Sequence, residues 1–214
     1  MDDTCSQDNE LRNRLRGGDE KALAELFSHH RERLWHMVAF RLDRKLQGRI
    51  DPDDILQEAY LAAVQRLGHL DADSTMSPFV WLRLIVQQTM IDVHRRHIGA
   101  QMRDAGREAL AHRQDFSQAT SISLAAQLVG HLTSPSQAAQ RAEMLSQLER
   151  AIAGMDPMDQ EVLALRHFEE LSNSEVAEVL GIEQKAASIR YIRALRRLKD
   201  ILSQIPGFVG ETPQ

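Results

Sequence analysis

Apolar residues recur along this chain at spacings of three and four, and no strand-length run alternates strictly between apolar and polar. The pattern predicts helices throughout. Asp19 is placed to cap a helix carrying Leu23, Leu26 and Phe27 that continues through Leu34, Trp35, Val38 and Leu42, and Gly48 marks a break. Asp51-Pro52-Asp53-Asp54 spells a helix start: a capping carboxylate, proline at the first helical position and acids in the first turn. That helix is expected to reach about Leu67. Gly68 to Ser77 reads as a polar loop, and Pro78 opens a long helix through Trp81 and Ile91 to about Arg96.

A second block begins near Arg141. Asp156-Pro157-Met158-Asp159 repeats the same start signal, with Val162, Leu163, Leu165 and Phe168 following as core. Ser172-Asn173-Ser174-Glu175 then forms a capping box, a hydroxyl followed three residues later by a carboxylate. Val176, Ala177, Val179 and Leu180 supply the apolar side of this short helix, and Gly181 ends it where a left-handed residue is easiest. A basic helix follows from about Glu183 to Leu202. At 100° per residue, Ala186, Arg190, Arg193, Arg196 and Arg197 gather on one side of it, opposite Tyr191, Leu195, Leu198 and Leu202. The pair reads as a helix-turn-helix presenting guanidinium groups to phosphates and base edges.

Between the blocks the character of the chain changes. Ile98 to Asp115 is charged, and Ser117 to Gln140 contains no Asp, Glu, Lys or Arg. This composition predicts a flexible tether, though not a pure linker: Ile122, Leu124, Leu128, Val129 and Leu132 form an aliphatic cluster suited to a transient helix that docks on a partner. The expected fold class is therefore all-α: two small helical domains joined by a flexible linker, the C-terminal one a helix-turn-helix. The expected boundaries are a tail over 1–18, a first domain over 19–97, a linker over 98–140, a second domain over 141–204 and a tail over 205–214.

Composition narrows the chemistry. Among 214 residues the net charge is only −5, so binding to DNA must come from local basic faces and not from bulk charge. The one cysteine, Cys5, leaves no disulfide framework and no thiolate cluster. No apolar run is long enough to cross a bilayer and no signal-peptide pattern opens the chain, so no membrane insertion and a cytoplasmic setting are expected. Asp92, His94 and His97 are close in sequence, but Asp92 points away from the two histidines on a helix, so no metal site is expected. There is no phosphate-binding glycine loop and no nucleophile elbow. No catalytic residue and no cofactor is assigned.

The two blocks together resemble the sigma-70 family of RNA polymerase sigma factors in its short extracytoplasmic-function (ECF) form. Asp53-Asp54-Ile55-Leu56-Gln57-Glu58-Ala59-Tyr60 is similar to the family's polymerase-binding segment. Phe79-Val80-Trp81-Leu82-Arg83-Leu84-Ile85 through Ile91-Asp92-Val93-His94-Arg95-Arg96 is similar to the helix that meets the promoter −10 element, and the C-terminal block to the domain that reads the −35 element.

The resemblance implies a non-enzymatic initiation factor with core RNA polymerase and promoter DNA as partners, and an anti-sigma factor as a candidate regulator. It places core polymerase on Asp54, Gln57, Glu58 and Leu61. It places −10 DNA on Arg83, Gln87, Gln88, His94, Arg95 and Arg96, with the loop from Gly68 to Ser77 helping to hold an extruded base. It places −35 DNA on Lys185, Ala186, Ser188, Arg190, Arg193 and Arg197. Gln87-Gln88 stands where many relatives carry arginine and asparagine. Glu183 replaces a common serine cap, and Lys185-Ala186 a common glycine-threonine pair. The alternative is a stand-alone helix-turn-helix regulator that binds operator DNA without polymerase.

Overall fold

The computed structural model describes residues 10–42, 46, 48–67, 76–98, 120–129 and 138–205. These residues contain helices and no strand. They fall into two compact units, one before and one after the boundary at Arg103 and Asp104. The loop predicted over Gly68 to Ser77 lies outside the described residues except for its last two positions, as do 1–9, 99–119, 130–137 and 206–214.

The first unit opens with a short helix, α1, over 10–16. A wholly flexible tail was the expectation here, and the difference has a local cause. Leu15 is fully buried, and the Arg14 guanidinium bonds the Asp19 and Glu25 carboxylates at 2.8 and 3.0 Å. That contact, together with bonds from the backbone N–H groups of Ala22 and Lys21, holds the Asp19 carboxyl below the usual range, Arg14 contributing most.

Asp19 caps α2 (Glu20–Arg41), a single 22-residue helix. Asp51 accepts from the Asp53 N–H and Pro52 sits in the first turn of α3 (Pro52–Arg66), as the sequence requires. α4 (Pro78–Ile98) packs on both α2 and α3, and α2 packs on α3, so the three helices share one core. Leu23, Leu34, Ile55, Leu56 and Leu82 lie in it. At one edge Phe27 meets Tyr60 edge-on, with centroids 5.1 Å apart.

The second unit includes a helix over 120–129, α5, inside the stretch expected to be tether. Its Leu124, Ala125 and Val129 are buried, and the Ser121 hydroxyl donates to Gln160 Oε1 at 2.6 Å. Gln160 in turn donates from Nε2 to the Met155 carbonyl at 3.1 Å. An uncharged segment can be buried without desolvating an ion, and this one carries enough aliphatic surface to be held. Then come α6 (Ala138–Ala153), α7 (Pro157–His167), α8 (Asn173–Leu180) and α9 (Gln184–Gln204). α9 packs on α6, α7 and α8, burying Ala187, Ala194 and Ile201 at intervals of seven residues.

Candidate nucleic-acid interfaces

The outer face of α3 has the pattern read from its periodicity. Asp54, Gln57, Glu58, Leu61 and Gln65 are all exposed, while Ile55, Leu56, Ala59 and Ala63 are buried. Leu61 is 61% exposed, the one large apolar side chain on this outer face. It rims a concavity of about 400 Å³ lined also by Phe27, Arg31, Asp53, Leu56, Gln57 and Tyr60. Arg31 and Asp53 close one side of it with an ion pair at 2.5 Å.

α4 departs from the expected arrangement. Arg83 was expected to reach DNA, yet it is 1% exposed, and Nη1 donates to Gln87 Oε1 at 3.2 Å. Met90, on the same side, is also buried, and Gln87 and His94 are only partly accessible. The reason is tertiary: α2 and α3 cover two sides of α4, so the side carrying Arg83 faces inward. What remains outward is a strip through Leu84, Asp92 and Arg95, with Trp81, Gln88 and Ile91 partly open along it. Arg66, Trp81, Leu84, Ile85, Gln87, Gln88 and Ile91 line a second concavity, of about 480 Å³. Sequence reasoning missed Arg66, Trp81, Leu84 and Ile91 as lining residues, because apolar periodicity alone reads three of them as core.

Arg95 and Arg96 are exposed near the end of α4. Arg96 Nη2 bonds Glu58 Oε2 on α3, so a residue expected at DNA and one expected at polymerase are paired. Both side chains are about half exposed, which leaves the pair weak and exchangeable. Gln88 Nε2 donates to Asp92 Oδ1 at 3.1 Å, and the His97 ring lies against the Val93 carbonyl at 2.9 Å. Among the described residues no group of histidine, cysteine and carboxylate side chains could hold a metal ion.

The helix-turn-helix has the predicted chemistry. Ser172 Oγ accepts from the Glu175 N–H and the Glu175 carboxylate accepts from the Ser172 N–H, completing a capping box. Gly181 adopts φ 64° and ψ 37°, and the Ile182 N–H bonds the Ala177 carbonyl at 3.0 Å, reversing the chain into α9. Glu183 caps α9 by backbone position alone, with no side-chain bond.

Of the residues expected at −35 DNA, Lys185 and Arg197 are exposed and Ala186 is half-buried. Ser188 is engaged internally. Its hydroxyl donates to the Gln184 carbonyl at 3.1 Å and accepts from Asn173 Nδ2 at 3.0 Å, tying the start of α8 to α9. Arg190 and Arg193 converge on Asp159 of α7: Arg193 reaches both carboxylate oxygens, at 2.6 and 3.0 Å, and Arg190 reaches one at 3.4 Å. The Asp159 side chain is only 7% exposed. The contact raises the Arg193 guanidinium further above its ordinary pKa. Asp159 is the residue that sequence reasoning missed here, since it reads as a first-turn acid of α7 and nothing more.

Tyr191 closes the other flank of α9. Its hydroxyl lies 3.0 Å from His167 Nε2, and burial, with the nearby Arg166 charge, lowers the His167 pKa. The outermost stripe of α9 is then Lys185, Ile189, Ile192, Arg196 and Lys199, at alternating spacings of four and three, all exposed. It lies about a quarter turn from the basic side inferred from the helical wheel.

Comparison with known proteins identifies the family. The family model described as ECF sigma factor matches residues 9–201. RNA polymerase sigma factor CarQ of Myxococcus xanthus is 25% identical over 194 residues, covering 90% of this chain and 95% of CarQ. RNA polymerase sigma factor NccH of Alcaligenes xylosoxydans is 26% identical over 199 residues, covering 92% and 95%. The solved structure of CnrH in complex with the cytosolic domain of CnrY is 23% identical, with a TM-score of 0.49 and coverage of 92% and 97%. With the family model spanning both helical units, the chain belongs to the ECF sigma factors of the sigma-70 family, non-enzymatic proteins that direct RNA polymerase to promoters.

Proposed function

We propose a division of labour between the two units. The first docks on core polymerase through Asp54, Gln57, Glu58 and Leu61 of α3. It meets the opened −10 region through the outer side and end of α4, namely Arg95 and Arg96, with Gln87, Gln88 and His94 partly accessible. Arg83 supports that helix from inside. The second unit anchors the complex at the −35 element through α9.

The observation that carries the reading is the way α9 is held. The capping box, the left-handed Gly181 and the Asn173–Ser188 bond fix it to α8 with a cationic stripe outward. The stripe includes Lys185, and Arg197 lies on its flank. No helix among the described residues is long and apolar enough to cross a membrane, and the site of action proposed is the cytoplasm, where polymerase and DNA are. An anti-sigma protein is the kind of regulator that family membership suggests.

The test is in vitro transcription with purified core polymerase on a pool of genomic promoter fragments. Discrete start sites that depend on this protein are expected. They should weaken when Lys185 and Arg197 become alanine, and vanish when Gln57, Glu58 and Leu61 do. If the triple α3 variant still co-elutes with core and transcribes normally, the docking assignment fails.

A further inference from the structure

Ile189 and Ile192 are 58% and 50% exposed, on the outermost stripe of α9. They add nothing to the core, and a β-branched residue is not favoured on the solvent side of a helix. Their neighbours on the stripe are cations at both ends: Lys185 before them, Arg196 and Lys199 after them. The stripe itself holds no carboxylate. Arg190 and Arg193, which would otherwise dominate this helix, lie on the flank and are drawn towards Asp159.

An apolar pair centred between cations fits one surface in particular. The DNA major groove has phosphates along both walls and, on its floor, the 5-methyl group of each thymine as its apolar feature. We propose that Ile189 and Ile192 select the upstream promoter element by packing on thymine methyl groups, while Lys185, Arg196 and Lys199 hold the phosphates. The inference rests on the assignment of α9 to −35 DNA and adds the chemistry by which it chooses a sequence. A protein partner would also accept exposed isoleucines, but a stripe with three cations and no acid favours a polyanion.

The experiment uses the full-length protein assembled with core polymerase, and a promoter duplex recovered from the transcription pool. Each thymine of the upstream element is replaced in turn by deoxyuridine, which pairs identically and lacks only the methyl. Wild-type holoenzyme should lose roughly fourfold in affinity at one or two positions, the partition value of a group that size leaving an apolar contact. The I189A/I192A holoenzyme should bind the thymine duplex more weakly and show no further loss with deoxyuridine. Its thermal unfolding should not fall, because alanine is the better helix former at an exposed site.

Tight binding by wild type to every deoxyuridine duplex overturns the proposal while leaving α9 as the −35 reader. So does an upstream element of G·C pairs alone, or a double variant that keeps the deoxyuridine penalty. Unchanged DNA affinity in the double variant, with capture of a protein partner lost, assigns the stripe to that partner and also overturns it. Transcription indifferent to the whole upstream element removes the −35 assignment itself.

Discussion

The two units use arginine in opposite ways. In the first, Arg83 is enclosed by the three-helix core and bonds along its own helix to Gln87. In the second, Arg190 and Arg193 stay at the surface and reach across to a carboxylate that is itself buried. One unit buries the cation and the other buries the anion. The consequence differs: a buried guanidinium is committed to the fold, whereas an exposed one oriented by a buried partner keeps donors for a ligand. A basic residue on a helix therefore says little about DNA until its surroundings are known.

The largest expected effect tests the buried case. Arg83→Ala should destabilise the first unit by about 3 kcal/mol, through a cavity and stranded polar neighbours, and lower its unfolding temperature. If the melting curve is unmoved and only promoter binding falls, Arg83 is a DNA contact and the contrast between the units collapses. Next is the surface case. In a double-mutant cycle, Asp159→Ala and Arg193→Ala should show a coupling of about 1 kcal/mol in urea unfolding. Additive effects would mean that Asp159 does not orient Arg193.

Removing the cap with Ser172→Ala should cost the second unit about 1 kcal/mol, read by the same denaturation. Glu58→Gln should change stability by less than about 0.5 kcal/mol, because its ion pair with Arg96 is exposed, yet weaken co-elution with core polymerase. The smallest effect is a pH dependence. His167 has a folded-state pKa below its unfolded value, so the unfolded chain binds more protons and stability falls as the pH drops through about 6.5. His167→Gln should flatten that part of the second unit's stability profile, and an unchanged profile would rule the group out.

Among the described residues, capping chemistry was the most legible feature. Asp19, Asp51, Asp156 and Ser172 all cap the helices they were read to cap, because a cap bond involves groups two or three residues apart. The outward face of α3 was equally legible, since its polar and apolar positions separate into an exposed and a buried side. The face of α4 was not, because two neighbouring helices decide which side stays open, and periodicity cannot tell an inner apolar strip from an outer one. α1 was missed, and α5 was read only as a transient helix, for a related reason: a short segment becomes a helix when something buries it, as happens to Leu15, Leu124 and Val129.

The sequence by itself determined the capped helices and where they start, the helix-turn-helix and, through motif order, the family. Only tertiary structure decided which cations remain at the surface. Arg83 and Arg193 are chemically identical and lie on helices of equal length, Arg83 in an apolar run from Phe79 to Val86 and Arg193 among other arginines. What separates them is the packing of α2 and α3 around one and the carboxylate of Asp159, thirty-four residues away in the chain, beside the other. Local interactions are written in neighbouring residues; the desolvation of a charge depends on every element that comes to lie around it.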